Sequence, residues 1–120
     1  MKLINTFATE LPWACEPVAP QPLRAPRLLH LNQGLLRELG LDGIGEADWL
    51  ACCGLGQPLP GMQPVAQVYA GHQFGGYSPR LGDGRALLLG EQLAPDGQRW
   101  DLHLKGAGKT PFSRFGDGRA

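Results

Sequence analysis

Residues 85–105 read RALLLGEQLAPDGQRWDLHLK, and this stretch decides the fold class. Arg85 to Glu91 is rich in apolar residues and leads to Ala94-Pro95-Asp96-Gly97, a run of turn formers. After the turn, Trp100, Leu102 and Leu104 alternate with Asp101, His103 and Lys105. That period of two is the pattern of a half-buried strand. Two strands joined by a Pro-Asp-Gly turn predict an antiparallel hairpin. Lys105 then stands at the end of the second strand, on the face opposite the leucines.

Working outward, a glycine loop flanks the hairpin on each side. Gly82-Asp83-Gly84-Arg85 precedes it and Gly116-Asp117-Gly118-Arg119 follows it, the same four residues twice. Glycine lets backbone approach an anion closely, successive N–H groups can cradle phosphate oxygens, and an arginine adds a forked cationic donor. Asp-Gly is also ordinary turn chemistry, so two plain turns give the same letters. Lys105 could hold nucleotide phosphates as a point charge, although LHLK differs from the kinase VAIK and a surface lysine fits the pattern too. Gly106-Ala107-Gly108-Lys109 adds glycine and charge, but GAGKT is too short for a phosphate-binding P-loop.

Further upstream, residues 54–64 are a loop by composition, and PRLLHLNQGLLRELGLDG at 26–43 carries helix signals. Asn32 is placed to cap a helix over about 32–39, with Leu35, Leu36 and Leu39 as its apolar face and Gly40 as its stop. A second short helix is expected from Glu46 to Cys53, ended by Gly54. Five prolines between Leu11 and Pro26 predict an extended arm over the surface, without strand signals. The domain reading is an arm with short helices over 1–64, then a glycine-rich nucleotide-binding region over 65–120. The fold class is α+β and loop-rich.

Composition supports this and excludes other classes. Eighteen glycines and eleven prolines, without a collagen-like period, imply many turns, while 42% apolar residues argue for a folded chain. Eleven basic residues balance eleven acidic ones, so no global field recruits nucleic acid or a membrane surface. No signal peptide or run of about 18 apolar residues is present. Cys15, Cys52 and Cys53 do not make a disulfide framework, and reduced thiols in a cytoplasmic protein are expected. His72, in YAGHQFGG, lacks ligands at metal spacing and reads as a structural histidine; His30 and His103 are isolated. The ending SRFGDGRA reads as a motif broken off, so a longer natural protein is expected.

YAGHQFGGYSPRLGDGRALLLGE followed by DLHLKGAGKTPFSRFGDGRA is similar, nearly residue for residue, to the signature region of the selenoprotein O family. The upstream PRLLHLN and ELGLD resemble that family more loosely. The resemblance implies part of a protein-kinase-like small lobe in which ATP lies flipped, its α-phosphate toward the acceptor. The implied reaction is AMP transfer from ATP to Ser, Thr or Tyr of a protein, with Mg²⁺ or Mn²⁺ as helper. The ATP contacts it implies are Gly82, Gly84 and Arg85, then Lys105, then Asp117 and Gly118. It places the catalytic base and metal ligands beyond Ala120, so these 120 residues alone are expected to be inactive. Protein substrates are the expected partners, not nucleic acid or membrane. The competing reading is a non-catalytic nucleotide- or protein-binding module.

Overall fold

The computed structural model describes residues 2–119, with the side chains of Gln73, Pro79 and Arg80 outside the description. Strands β1 (Leu3–Ile4), β2 (Cys15–Pro17), β3 (Val65–Gln73), β4 (Gly76–Gly82), β5 (Ala86–Leu93) and β6 (Arg99–Lys105) form the sheet. Helices α1 (Thr6–Glu10), α2 (Gln33–Leu39) and α3 (Glu46–Gly54) accompany it, with a 3-10 turn at Pro12–Ala14. All pairings are antiparallel: β1 with β5, β2 with β3, β3 with both β4 and β5, and β5 with β6. The chain is therefore α+β.

The hairpin expected over 85–105 is β5 and β6, paired from Ala86↔Lys105 to Leu93↔Arg99 with a one-residue register shift between Leu88 and Gly90. Its turn closes through the Gly97 N–H donating to Ala94 O at 2.9 Å and the Gln98 N–H donating to Asp96 Oδ1 at 3.0 Å. Gly97 has φ +85°, the left-handed conformation glycine accepts most easily.

β5 is apolar on both faces because both faces are covered. Leu87 and Leu89 join the main core with Leu36, Leu39, Leu41 and Trp49 from the helical segments. Leu88, on the other face, packs with Cys15, Val65 and Phe7. Each such buried side chain stabilises the fold by roughly 1.5–3 kcal/mol relative to exposure. On β6, Leu102 and Leu104 lean on the core while His103 and Lys105 point to solvent, as alternation requires. Trp100 departs from that pattern, being 47% exposed.

The predicted helices are both present. Asn32 caps α2 by accepting the Leu35 N–H at 3.0 Å, and Gly40 ends it at φ +74°. Gln92, 1% exposed on β5, donates to Leu39 O at 2.9 Å and accepts the Lys2 N–H at 3.2 Å. That one amide fastens α2 and the start of the chain to the sheet, and satisfies polar groups that burial would otherwise penalise.

Two segments depart from the sequence reading. Cys15–Pro17 is a strand despite Pro17, which is tolerated because β2 lies at the edge of the sheet. Residues 65–82 are a hairpin of their own, turning on Phe74 and Gly75 at φ +52° and +76°. Positive φ at both central residues marks the tight hairpin turn whose twist matches its strands.

Candidate functional site

β4 runs into the loop 83–85 immediately before β5. Asp83 is buried at 8% exposure. Its N–H donates to Gln67 O at 2.9 Å, and its carboxylate accepts the Gln67 N–H at 3.0 Å. The aspartate of the first repeat is thus a backbone tie to β3.

The loop's carbonyls are held from the other side. Thr110 Oγ1 donates to Asp83 O, and Ser113 Oγ donates to Gly84 O. The hydroxyls are themselves set within the turn Thr110-Pro111-Phe112-Ser113, where the Thr110 N–H donates to Ser113 Oγ at 2.8 Å and the Phe112 N–H to Thr110 Oγ1 at 3.1 Å. With the carbonyls held this way, the N–H groups of Gly84 and Arg85 have no partner among the described residues. Unpartnered adjacent N–H groups are the raw material of an anion cradle.

The two glycines of this loop differ. A Cβ at Gly82 would lie 2.7 Å from Phe112 Cγ, whereas one at Gly84 would sit 3.5 Å from Phe112 O, an ordinary contact. Gly84 does not adopt positive φ. Steric closure of this loop belongs to Gly82.

The second loop is built by other means. Gly116 and Gly118 have φ +82° and +76°. Gly118 O accepts the Gly108 N–H at 3.1 Å, and a Cβ on Gly118 would fall on the Gly108 carbonyl. Asp117 Oδ1 accepts the Arg119 N–H at 3.0 Å. The Arg119 guanidinium donates to Gln21 O at 3.1 Å, Pro22 O at 3.0 Å and Gly106 O at 3.4 Å.

Between the two loops lies a cleft of about 670 Å³. Tyr69, Leu81, Phe112 and Phe115 give it an apolar side, and Gly82, Gly84, Arg85, Gly116, Asp117 and Gly118 line the rest together with Ser113, Arg114 and Arg119. Three arginines against one aspartate favour an anionic occupant. Five of the six residues singled out from sequence, all but Lys105, border this space. Lys105 is exposed at the end of β6 opposite Ala86, and the following Gly106 and Ala107 N–H groups donate to Arg85 O at 2.7 and 3.0 Å. It adjoins the first loop's anchor without lining the cleft.

Burial pushes the Tyr69 phenol above its ordinary pKa, and the charge of Asp83 and a hydrogen bond to it add to the rise. His72 packs edge-on against Tyr77, ring centroids 5.7 Å apart, on the β3–β4 hairpin and outside the cleft. Tyr69, Phe112, Thr110 and Ser113 were not found by sequence reasoning. The signal was present in Thr110-Pro111-Phe112-Ser113, a turn with two hydroxyls between two glycine loops.

The family described as protein adenylyltransferase SelO matches residues 5–120. This chain belongs to the SelO family. It is 92% identical over all 120 residues to a protein nucleotidyltransferase YdiU of Aeromonas salmonicida, and 90% identical to that of Aeromonas hydrophila. Each match covers 25% of the relative. A YdiU protein of Rhizobium rhizogenes is 54% identical over 117 residues, which is 97% of this chain and 23% of that protein. The chain spans about a quarter of the length of these SelO relatives.

Proposed function

We propose that the cleft between the two Gly-Asp-Gly-Arg loops holds the phosphates of ATP, and that the full-length SelO protein transfers AMP to Ser, Thr or Tyr hydroxyls of proteins. The observation that carries this reading is the meeting of both repeats, 34 positions apart in sequence, on one basic cleft. The N–H groups of Gly84 and Arg85 stand ready to donate there, and the Arg85 guanidinium, exposed and without a partner among the described residues, can add a forked contact. Lys105 does not line the cleft, but it ends a strand beside the first loop's anchor. That position supports the proposal that its long side chain reaches the phosphates as the strand lysine of a kinase-like small lobe does, which is the fold we propose.

In the reaction, an acceptor hydroxyl oxygen bonds the α-phosphorus, the bond from that phosphorus to the α–β bridging oxygen breaks, and pyrophosphate leaves. The hydroxyl proton passes to a base supplied by the rest of the protein. Mg²⁺ or Mn²⁺ would neutralise phosphate charge. The described residues offer no group of three or more His, Cys, Asp or Glu to hold such an ion. What these residues do is bind and orient phosphates.

Lys105→Ala and Arg85→Ala in the full-length protein test the reading. Labelling of protein substrates by α-labelled ATP is expected to fall at least about tenfold in each, since a charge-assisted phosphate contact is worth about 1.5–3 kcal/mol. Unchanged labelling in both variants would refute the assignment.

A further inference from the structure

The two repeats share their letters, yet their arginines are used differently. Arg85 is exposed and its side chain has no partner among the described residues. Arg119 borders the same cleft, but its guanidinium is engaged by three backbone carbonyls, those of Gln21 and Pro22 in the N-terminal arm and of Gly106 after β6. We propose that Arg119 is a positioning residue that latches the second glycine loop in place, while Arg85 alone of the two arginines is free to meet the ligand. The role rests on the ATP reading of the cleft.

The argument follows the hydrogen bonds. Carbonyls at the end of an arm almost 100 residues upstream, as the 98- and 97-residue separations show, converge on one guanidinium. A flat fork with several donors can bridge separate segments, and a compact ammonium cannot reproduce that geometry. The arm is fixed to the same place by the Gln21 N–H donating to Ala107 O at 2.8 Å. The loop is fixed by the Gly108 N–H donating to Gly118 O at 3.1 Å and by Asp117 accepting the Arg119 N–H at 3.0 Å. Arm, 106–108 turn and second loop therefore form one unit with Arg119 at its centre. This unit sets where Asp117 and Gly118 stand relative to the first loop. Releasing it widens the range of loop positions, and a less preorganised site binds its ligand more weakly.

The test uses the full-length protein with Arg119→Ala and Arg119→Lys. Three measurements are made: thermal melting, amide hydrogen exchange without ligand, and steady-state kinetics with varied ATP. First, ATP binding to the unsubstituted protein is confirmed; its absence would overturn the cleft reading and this role with it, before any substitution is considered. With Arg119→Ala, exchange is expected to rise in peptides covering 20–22 and 106–119, and KM for ATP to rise about tenfold with kcat changed less than about threefold, the split of lost uniform binding. Arg119→Lys should recover only part of that loss. A raised KM with unchanged exchange would make Arg119 a direct phosphate ligand and overturn the latch. Raised exchange with unchanged KM would show that the latch does not serve the site. Full recovery by lysine would reduce the role to charge alone.

Discussion

Gly82 and Gly84 stand two positions apart in one loop, and a methyl group on each meets different surroundings. At Gly82 it would press on the Phe112 ring, and overpacking of that kind costs about 1–3 kcal/mol. At Gly84 it meets only an ordinary contact with Phe112 O and needs no unusual backbone. Gly82→Ala is therefore expected to lower the melting temperature, and Gly84→Ala to leave it within about 0.5 kcal/mol of the parent stability. This makes Gly84→Ala a clean probe. A drop in ATP affinity at unchanged stability, measured by calorimetry, would report backbone approach to the nucleotide, and unchanged affinity would place the ligand elsewhere. Asp83 gives a second residue-scale test through Tyr69. The Tyr69 pKa is raised, so the folded state keeps the proton that the unfolded chain gives up near pH 10, and stability falls as pH rises through that range. Asp83→Asn removes the negative charge but not the burial, the larger cause, so the phenol should titrate lower yet still above its ordinary value. Ultraviolet titration in a Tyr77→Phe background reads the remaining tyrosine; an unmoved titration would show that Asp83 does not act on it.

At the scale of elements, the β3–β4 hairpin presents a side chain on an uncomfortable backbone. Phe74 holds φ +52° at the hairpin tip and is 99% exposed. A left-handed conformation costs an L-residue with a bulky side chain roughly 1–2 kcal/mol, and Asn tolerates it better. Phe74→Asn should stabilise the chain by up to about 1 kcal/mol, read as a higher midpoint in urea with an unchanged slope; a lower midpoint would mean that the ring is held by contacts this conformation does not contain. The same hairpin shows where sequence reading stops. β5 and β6 were legible because their turn is Pro-Asp-Gly and β6 alternates Trp100, Leu102 and Leu104 with polar residues. α2 was legible because cap, apolar face and C-terminal glycine all lie within nine residues, Asn32 to Gly40. β3 and β4 were not, since Tyr69 to Gly82 is dense in glycine, contains Pro79, and turns on Phe-Gly rather than Asn-Gly. β1 and β2 pair over two and three residues, too short for any period to show, and only partners far along the chain define them. In the cleft, the repeated tetrapeptide gave away both loops. The division of labour within it did not show, because Asp83 faces Gln67 and Arg119 faces carbonyls through tertiary contacts that four letters cannot encode.

At the scale of the whole molecule, these 120 residues span about a quarter of the length of their SelO relatives and can supply only part of the proposed activity. They provide two glycine loops, Arg85 and a nearby lysine, but among the described residues no group of three or more His, Cys, Asp or Glu that would hold the Mg²⁺ or Mn²⁺ proposed to neutralise phosphate charge. Phosphate affinity without that neutralisation is weak, because the charge must be met by protein donors alone. Phe115 and Phe74 are also almost fully exposed, at 96% and 99%, and Phe115 borders the cleft itself. The 120-residue chain by itself is expected to bind ATP no tighter than about the millimolar range, some 4 kcal/mol, and to transfer no AMP. Following its amide signals by NMR while ATP and Mg²⁺ are added distinguishes the possibilities. Small, unsaturated shifts at Gly84, Arg85 and Gly118 are the expected result. Saturation at micromolar ATP would show that the cleft is self-sufficient, and that the remaining three quarters of a SelO protein are needed for the transfer step but not for holding the nucleotide.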